Sequence, residues 1–208
     1  MTRIRKSPEE RKREIIEAAD RLFSTKGYTN TAVSDICKEV GVAKSTFFYH
    51  FKTKEDVMEV IMHRYADEFA TLFSKKCLGL AAVEQLQLFL NSFGAELPVE
   101  NMLDKMEKSS EFVFFDKLWE SIFCSTLNPL LRKVFAAGIK DGTFSFKEEE
   151  ISERLRFLWS LMDYLWYVPA NQTSDDISDE EMDIRINIAS RQLETLMGLE
   201  NGTLKINF

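Results

Sequence analysis

An all-α fold is predicted by three features of the 208-residue chain. Apolar residues recur at helical spacing almost throughout. The few glycines and prolines fall at plausible segment ends, and no alternating apolar and polar run bounded by turn residues argues for a sheet. The expected helices span 8–26, 33–40, 44–50, 54–76, 81–94, 98–107, 110–140, 147–168 and 179–198. Pro129 should bend or divide the seventh, because proline removes a helical hydrogen bond. Residues 170–179, rich in Asn, Ser and Asp, form the one clear polar linker.

Taken in order, the first helix opens on Ser7, Pro8 and Glu10, a capping box with proline at the first helical position. A basic arm of Arg3, Arg5, Lys6, Arg11, Lys12 and Arg13 leads into it. The next two helices are hinged at Gly41: Val33, Ile36, Cys37 and Val40 recur at helical spacing, and glycine follows where a helix often ends in a left-handed residue. Thr31 is expected to cap the N-terminus of the first of the pair, with Asp35 favouring its dipole. The second carries Phe47 and Phe51 on one face; its other face reads Lys44, Ser45, Thr46, Phe48, Tyr49 and His50. Short polar groups, a cation, flat rings and an imidazole suit base edges, thymine methyls and phosphates at close range. Two short helices joined this way are the form of a helix-turn-helix for the major groove. Directly after it, Thr53 and Asp56 make a capping box, setting a helix N-terminus with Lys52 and Lys54 where a phosphate clamp is expected.

Residues 8–57, with REIIEAADRLFSTKGY, then T-x-V-x-D-I-C, then GVAKSTFFYHFKTKEDV, resemble the DNA-binding domain of the tetracycline-repressor (TetR) family of transcriptional regulators. The last segment is similar to the family pattern G-V-S-x-G-T-L-Y-x-H-F-x-x-K-x-x-L. The resemblance implies base contacts from Lys44 and Thr46 with Ser34 at the start of the preceding helix, and Phe48, Tyr49, His50 and Lys54 along the backbone; Thr31 and Ser45 complete the expected DNA-binding set. Two positions depart from the pattern. Ser45 stands where glycine is frequent, and Phe48 replaces a tyrosine whose hydroxyl would commonly reach a phosphate.

Charge divides the chain in the same way. Up to Lys54 there are 12 Lys and Arg against 7 Asp and Glu, and beyond it 15 against 27, so the net −7 conceals a basic head. An acidic body discourages DNA from lying anywhere else. The expected organisation is a three-helix DNA-binding head over 1–53 and a six-helix ligand-binding and dimerisation body over 54–208.

Within the body, Ile151, Leu155, Leu158, Met162 and Leu165 step by four and three, beside a second stripe of Phe157, Leu161, Tyr164 and Val168. A helix apolar on so many sides is not made to face water. Met182, Ile186, Ala189, Leu193 and Leu196 repeat the step on the last helix, which Ser178 and Glu181 cap. Paired with their copies these helices would form a four-helix bundle, and a homodimer sets two reading helices about 34 Å apart for two half-sites. The interface is therefore expected at Leu155, Leu158, Met162, Leu165, Ile186, Leu193 and Leu196. Large side chains are dense elsewhere in the body: Phe112, Phe115, Trp119 and Phe123 share one face, and Phe69, Phe73, Phe89, Phe93, Trp159 and Trp166 come from other helices. The family resemblance implies a small-molecule pocket there, with Phe69, Phe89, Phe115, Trp119, Phe123, Trp159 and Met162 as lining and a small apolar or aromatic effector that releases DNA.

Catalysis has little to work with. His50 and His63 are the only histidines, neither at metal-ligand spacing, and no nucleophile elbow, P-loop or dinucleotide fingerprint occurs. No catalytic residue, metal or cofactor is predicted. Cys37, Cys77 and Cys124 have no paired spacing, no apolar leader is recognisable, and charges interrupt the richest apolar segment, so a cytoplasmic protein without membrane contact is expected. The competing reading is a helical protein-interaction adaptor without sequence-specific DNA binding; a steep salt dependence of duplex binding separates the two.

Overall fold

The computed structural model describes residues 6–95, 112–166 and 177–206, without the side chains of 93–95, 112–116, 119 and 166. The expected span 98–107 and the rings of Phe93, Phe112, Phe115, Trp119 and Trp166 lie outside that description. The described residues are helical with no strand: α1 (Pro8–Lys26), α2 (Val33–Val40), α3 (Lys44–His50), α4 (Lys54–Lys76), α5 (Ala82–Ala95), α6 (Phe112–Asp141), α7 (Ile151–Trp166) and α8 (Asp179–Met197). A single 3₁₀ turn, Glu148–Glu150, precedes α7, so the helix expected from 147 starts with a tighter first turn. Helix α6 continues through Pro129 without dividing.

The chain falls into two compact units, Met1–Asp67 with Pro98–Phe123, and Glu68–Leu97 with Cys124–Phe208. The first therefore takes in the first half of α4, which the sequence reading assigned to the body at 54.

In the first unit, Ile15, Ala18, Ala19 and Phe23 give α1 one fully buried face. They belong to the same core as Ile36, Phe47, Val57, Met58, Ile61 and Met62. Ser7 Oγ accepts from Glu10 N while the Glu10 carboxylate accepts from Ser7 N, the box expected there. At Gly41 (φ 71°, ψ 41°) the Val42 N–H reaches back to the Cys37 carbonyl at 2.9 Å, closing α2 in a left-handed turn that costs glycine no Cβ clash. Thr31 does not cap α2. The N-cap is Ala32, whose N–H donates to the Asp35 carboxylate at 3.1 Å, and Thr31, 1% exposed, donates its hydroxyl to the Gly27 carbonyl at 2.7 Å.

In the second unit, the rings of Phe135, Phe144 and Phe146 meet with centroids 5.8–5.9 Å apart. Gly138 makes this possible, since a Cβ there would lie 2.1 Å from the Phe144 ring. Helices α7 and α8 pack together, with Leu155, Leu158, Met162, Leu165, Ala189, Leu193 and Met197 at 0–2% exposure. Five of the seven residues of the expected seam are among them. Leu155, Leu158, Met162, Leu165 and Leu193 are buried within one chain, and Ile186 and Leu196 are half-buried beside them. A helix with two apolar stripes sends the fuller one inward, and the outward apolar positions are Phe157 and Tyr164 on α7 and Ile184 and Ile188 on α8.

Candidate nucleic-acid interface

Helix α3 follows the Gly41 turn with Ala43 as an extended N-cap, and its placement rests on one residue, Phe47, which is fully buried. Phe51 closes the helix at 5% exposure, its ring 5.9 Å from that of Phe47. With 47 and 51 inward, the 100° step per residue turns 45, 46 and 49 outward and sets 48 and 50 at the sides. Ser45, Phe48 and Tyr49 are exposed, Thr46 and His50 are half-exposed, and Lys44 is exposed at the helix start. Ser34 is exposed near the start of α2. Of the expected set, Thr31 is withdrawn from this surface for the packing reason given above, and Lys54 is engaged elsewhere.

Lys44 and Lys52 are exposed and hold no ion pair among the described residues. Other cations are committed within the unit: Lys26 to Asp35, Arg21 to Glu39 at 3.5 Å, and Arg11 to Glu14 at 2.7 Å. Lys54 is a special case. Its Nζ donates to the Tyr28 carbonyl at 2.9 Å and lies 3.8 Å from the Tyr28 ring centroid, a cation–π contact, while the Tyr28 hydroxyl donates to Glu55 at 3.0 Å. Lys54 thus ties the start of α4 to the segment that follows α1, and Lys52 is the cation left facing outward.

The start of α4 carries the expected box: Thr53 Oγ1 accepts from Asp56 N, and the Asp56 carboxylate accepts from Lys52 N at 2.8 Å and Thr53 N at 3.1 Å. Burial works to raise the Asp56 pKa, but these hydrogen bonds outweigh it and hold the carboxyl below its usual range. Helix α4 is also tied to α1 lower down. Asp20 accepts from Arg64 Nη2 at 2.6 Å and from the Tyr65 hydroxyl. Burial and then the Asp20 bond push the Tyr65 phenol well up, so it stays a donor. Sequence reading missed this cluster because Asp20 and Arg64 are 44 positions apart and each alone looks like a solvated charge.

The residues expected to surround an effector divide between the units. In the second unit, Phe69 stacks on Phe73, both meet Phe89 edge-on, and Phe89 meets Trp159 edge-on at 5.9 Å. The indole Nε1 of Trp159 donates to Asn128 Oδ1 at 2.8 Å, a polar anchor among rings that sequence reading did not single out. Met162 is buried in the same unit, and Phe123 is buried in the first. Phe115 and Trp119 fall among the side chains not described.

The model of the family described as "Bacterial regulatory proteins, tetR family" matches residues 15–61, the stretch that builds this surface. Residues 15–61 are thus similar to the DNA-binding region of the TetR family. A relative from Staphylococcus aureus (strain USA300), an HTH-type transcriptional regulator, is 35% identical over 72 residues, which is 35% of this chain and 39% of the relative, so the match covers well under half of either protein. Solved structures extend the likeness of fold over nearly the whole chain. The transcriptional regulator FadR from Bacillus subtilis in complex with stearoyl-CoA aligns with a TM-score of 0.62 at 19% identity, covering 89% of this chain and 97% of that one. A TetR transcription regulator from Haloarcula marismortui aligns at 0.64 and 16% identity over 91% and 97%. RolR in complex with resorcinol aligns at 0.62 and 13% identity over 96% and 98%. The chain is thus similar in fold to these regulators, all-helical with a helix-turn-helix near its N-terminus. Among the described residues no helix is long and apolar enough to cross a membrane, and no group of His, Cys, Asp and Glu is assembled for a metal.

Proposed function

We propose that this chain is a TetR-family, cytoplasmic transcriptional repressor that binds a palindromic operator as a homodimer and is released by a small apolar or aromatic effector. One observation carries the DNA reading: α3 buries Phe47 and Phe51 and leaves Lys44, Ser45, Phe48 and Tyr49 exposed, with Thr46 and His50 half-exposed beside them, on a helix held by the Gly41 turn. Base contacts come from Lys44, Ser45 and Thr46, phosphate contacts from Tyr49, His50 and Lys52, and Ser34 assists from α2. Lys54 acts as a positioning residue through Tyr28.

A single seven-residue reading helix offers few base contacts, so a second copy is required for specificity. The surface that fits a second copy is the outward apolar face of α7 and α8: Phe157, Tyr164, Ile184 and Ile188 are each 38–53% exposed on two helices packed side by side.

The effector reading rests on the aromatic cluster of Phe69, Phe73, Phe89 and Trp159 and on the ligands held by two proteins of the same fold, stearoyl-CoA in FadR and resorcinol in RolR. Release follows if the effector favours a body conformation in which the two heads no longer match the half-site spacing. About 1.4 kcal/mol of differential binding changes DNA affinity tenfold.

Footprinting on the DNA flanking the protein's own gene tests the proposal. A protected palindrome with half-sites about one helical turn apart is expected, along with binding that weakens steeply with salt. Thr46→Val should blur sequence preference while leaving non-specific affinity intact. Binding indifferent to sequence and salt would leave the interaction-adaptor reading in its place.

A further inference from the structure

We propose that Phe48 reads a thymine methyl in each operator half-site, which makes it a specificity-determining residue rather than a backbone contact. The inference rests on the DNA reading above and adds a base identity to it.

Phe48 is 53% exposed and has no polar atom. With Tyr49 it is one of two large apolar side chains exposed among the described residues of the first unit, and Tyr49, unlike it, carries a hydroxyl to spend on phosphate or water. A half-exposed phenyl is unfavourable in water, and the burden is removed only when apolar surface covers the ring. It cannot replace the hydrogen bond that a tyrosine at this position would give to the DNA backbone.

The ring also has a buried neighbour. Its centroid lies 5.5 Å from that of Phe47 at an interplanar angle of 86°, and Phe47 is fully buried, so Phe48 packs on the core on one side and leaves the other open. One turn earlier on the same face stands Lys44, which directs this side of α3 toward DNA. Among base edges in the major groove, the prominent apolar group is the thymine 5-methyl. A purely apolar ring presented beside Lys44 on this helix therefore favours thymine over the other three bases. Deoxyribose is the other apolar surface nearby, and contact with it carries no sequence information.

The test uses a duplex selected by the full-length protein from a randomised pool. Each thymine is replaced in turn by deoxyuridine, which removes only the methyl group. One thymine per half-site should show a loss of about fourfold in affinity, the value of burying one methyl-sized group, and about fifteenfold when both half-sites are changed. In Phe48→Ala the penalty at that position should vanish, and in Tyr49→Ala it should persist. Phe48 lies on the surface, so an unchanged helical spectrum and Tm will show that the alanine variant folds. A deoxyuridine scan without any loss, or a loss that survives Phe48→Ala, overturns the inference. So does a Phe48→Ala protein that selects the same sequence with uniformly weaker binding, the result expected of sugar contact. If the protein enriches no sequence at all, the DNA reading itself fails, an outcome distinct from these.

Discussion

Asp20 of α1 and Arg64 of α4 face each other at 2.6 Å, and the same carboxylate accepts from the Tyr65 hydroxyl. Together with the tie between Lys54 and Tyr28, this holds the first half of α4 to α1 at one end and to the segment after α1 at the other. Asp20→Asn keeps the shape and one acceptor but removes the charge. It should destabilise by about 1–2 kcal/mol, a charged hydrogen bond discounted for partial exposure, and lower Tm by about 2–4 °C per kcal/mol in thermal unfolding. Amide exchange should rise around residues 61–66 while the α2–α3 turn stays protected. An unchanged exchange pattern would reduce the pair to an ordinary surface contact.

Lys52 and Lys54 stand two residues apart and should respond differently. Lys52→Ala removes an exposed cation, so the slope of log affinity against log salt should fall by about 1 per protomer, with stability unchanged to within about 0.5 kcal/mol. Lys54→Met keeps the aliphatic stem but loses the bond to the Tyr28 carbonyl and the charge over its ring. It should cost about 1 kcal/mol of stability, visible in urea unfolding. If both variants lost affinity alike with no change in stability, Lys54 would be a phosphate contact after all.

How much was legible in advance follows from the range of the interactions. Local signals held: the Ser7 and Glu10 box, the Gly41 turn, the Thr53 and Asp56 box, and the inward positions 47 and 51 all depend on residues within one or two helical turns. What sequence could not supply was the choice between two apolar stripes on α7, because each has the same period. The packing of α8, and not the pattern itself, selects Leu158 for the interior and Phe157 for the outside. Thr31 illustrates the same limit. A hydroxyl just ahead of a helix reads as a cap, and here a carbonyl four residues back captures it.

Stability should also depend on pH in one direction. Asp35 is held below its usual range by the Lys26 ammonium and then by the Ala32 N–H, and Glu10 by the N–H and then the hydroxyl of Ser7. Asp56 is held down by the N–H groups of Lys52 and Thr53, which overcome the upward pull of burial. Because these folded-state values are depressed, their stabilisation is complete above the unfolded range of about 4 and drains as pH falls through the lower folded values. Tm should therefore be flat from about pH 7 to 5 and fall below that. Asp56→Asn, which retains a cap acceptor but does not titrate, should make the fall shallower. An equally steep fall in that variant would locate the acid sensitivity elsewhere.

The two stripes of α7 make opposite predictions. Phe157 and Ile184 are 41% and 53% exposed, so each has about half of its apolar surface still to bury in a dimer. At about 1 kcal/mol apiece, the four side chains lost from two protomers of Phe157→Glu with Ile184→Glu amount to about 4 kcal/mol, or about a thousandfold in dimer Kd. The double variant should sediment as a folded monomer at micromolar concentration and bind operator weakly. Leu158→Ala, by contrast, removes a side chain with no exposed surface at all. It should cost about 2–5 kcal/mol of stability through the cavity it leaves, and lower Tm without making a folded monomer. Were the glutamate variant to remain dimeric while Leu158→Ala dissociated the subunits, the interface would run along the inner stripe and the packing of α7 against α8 would have to open to admit it.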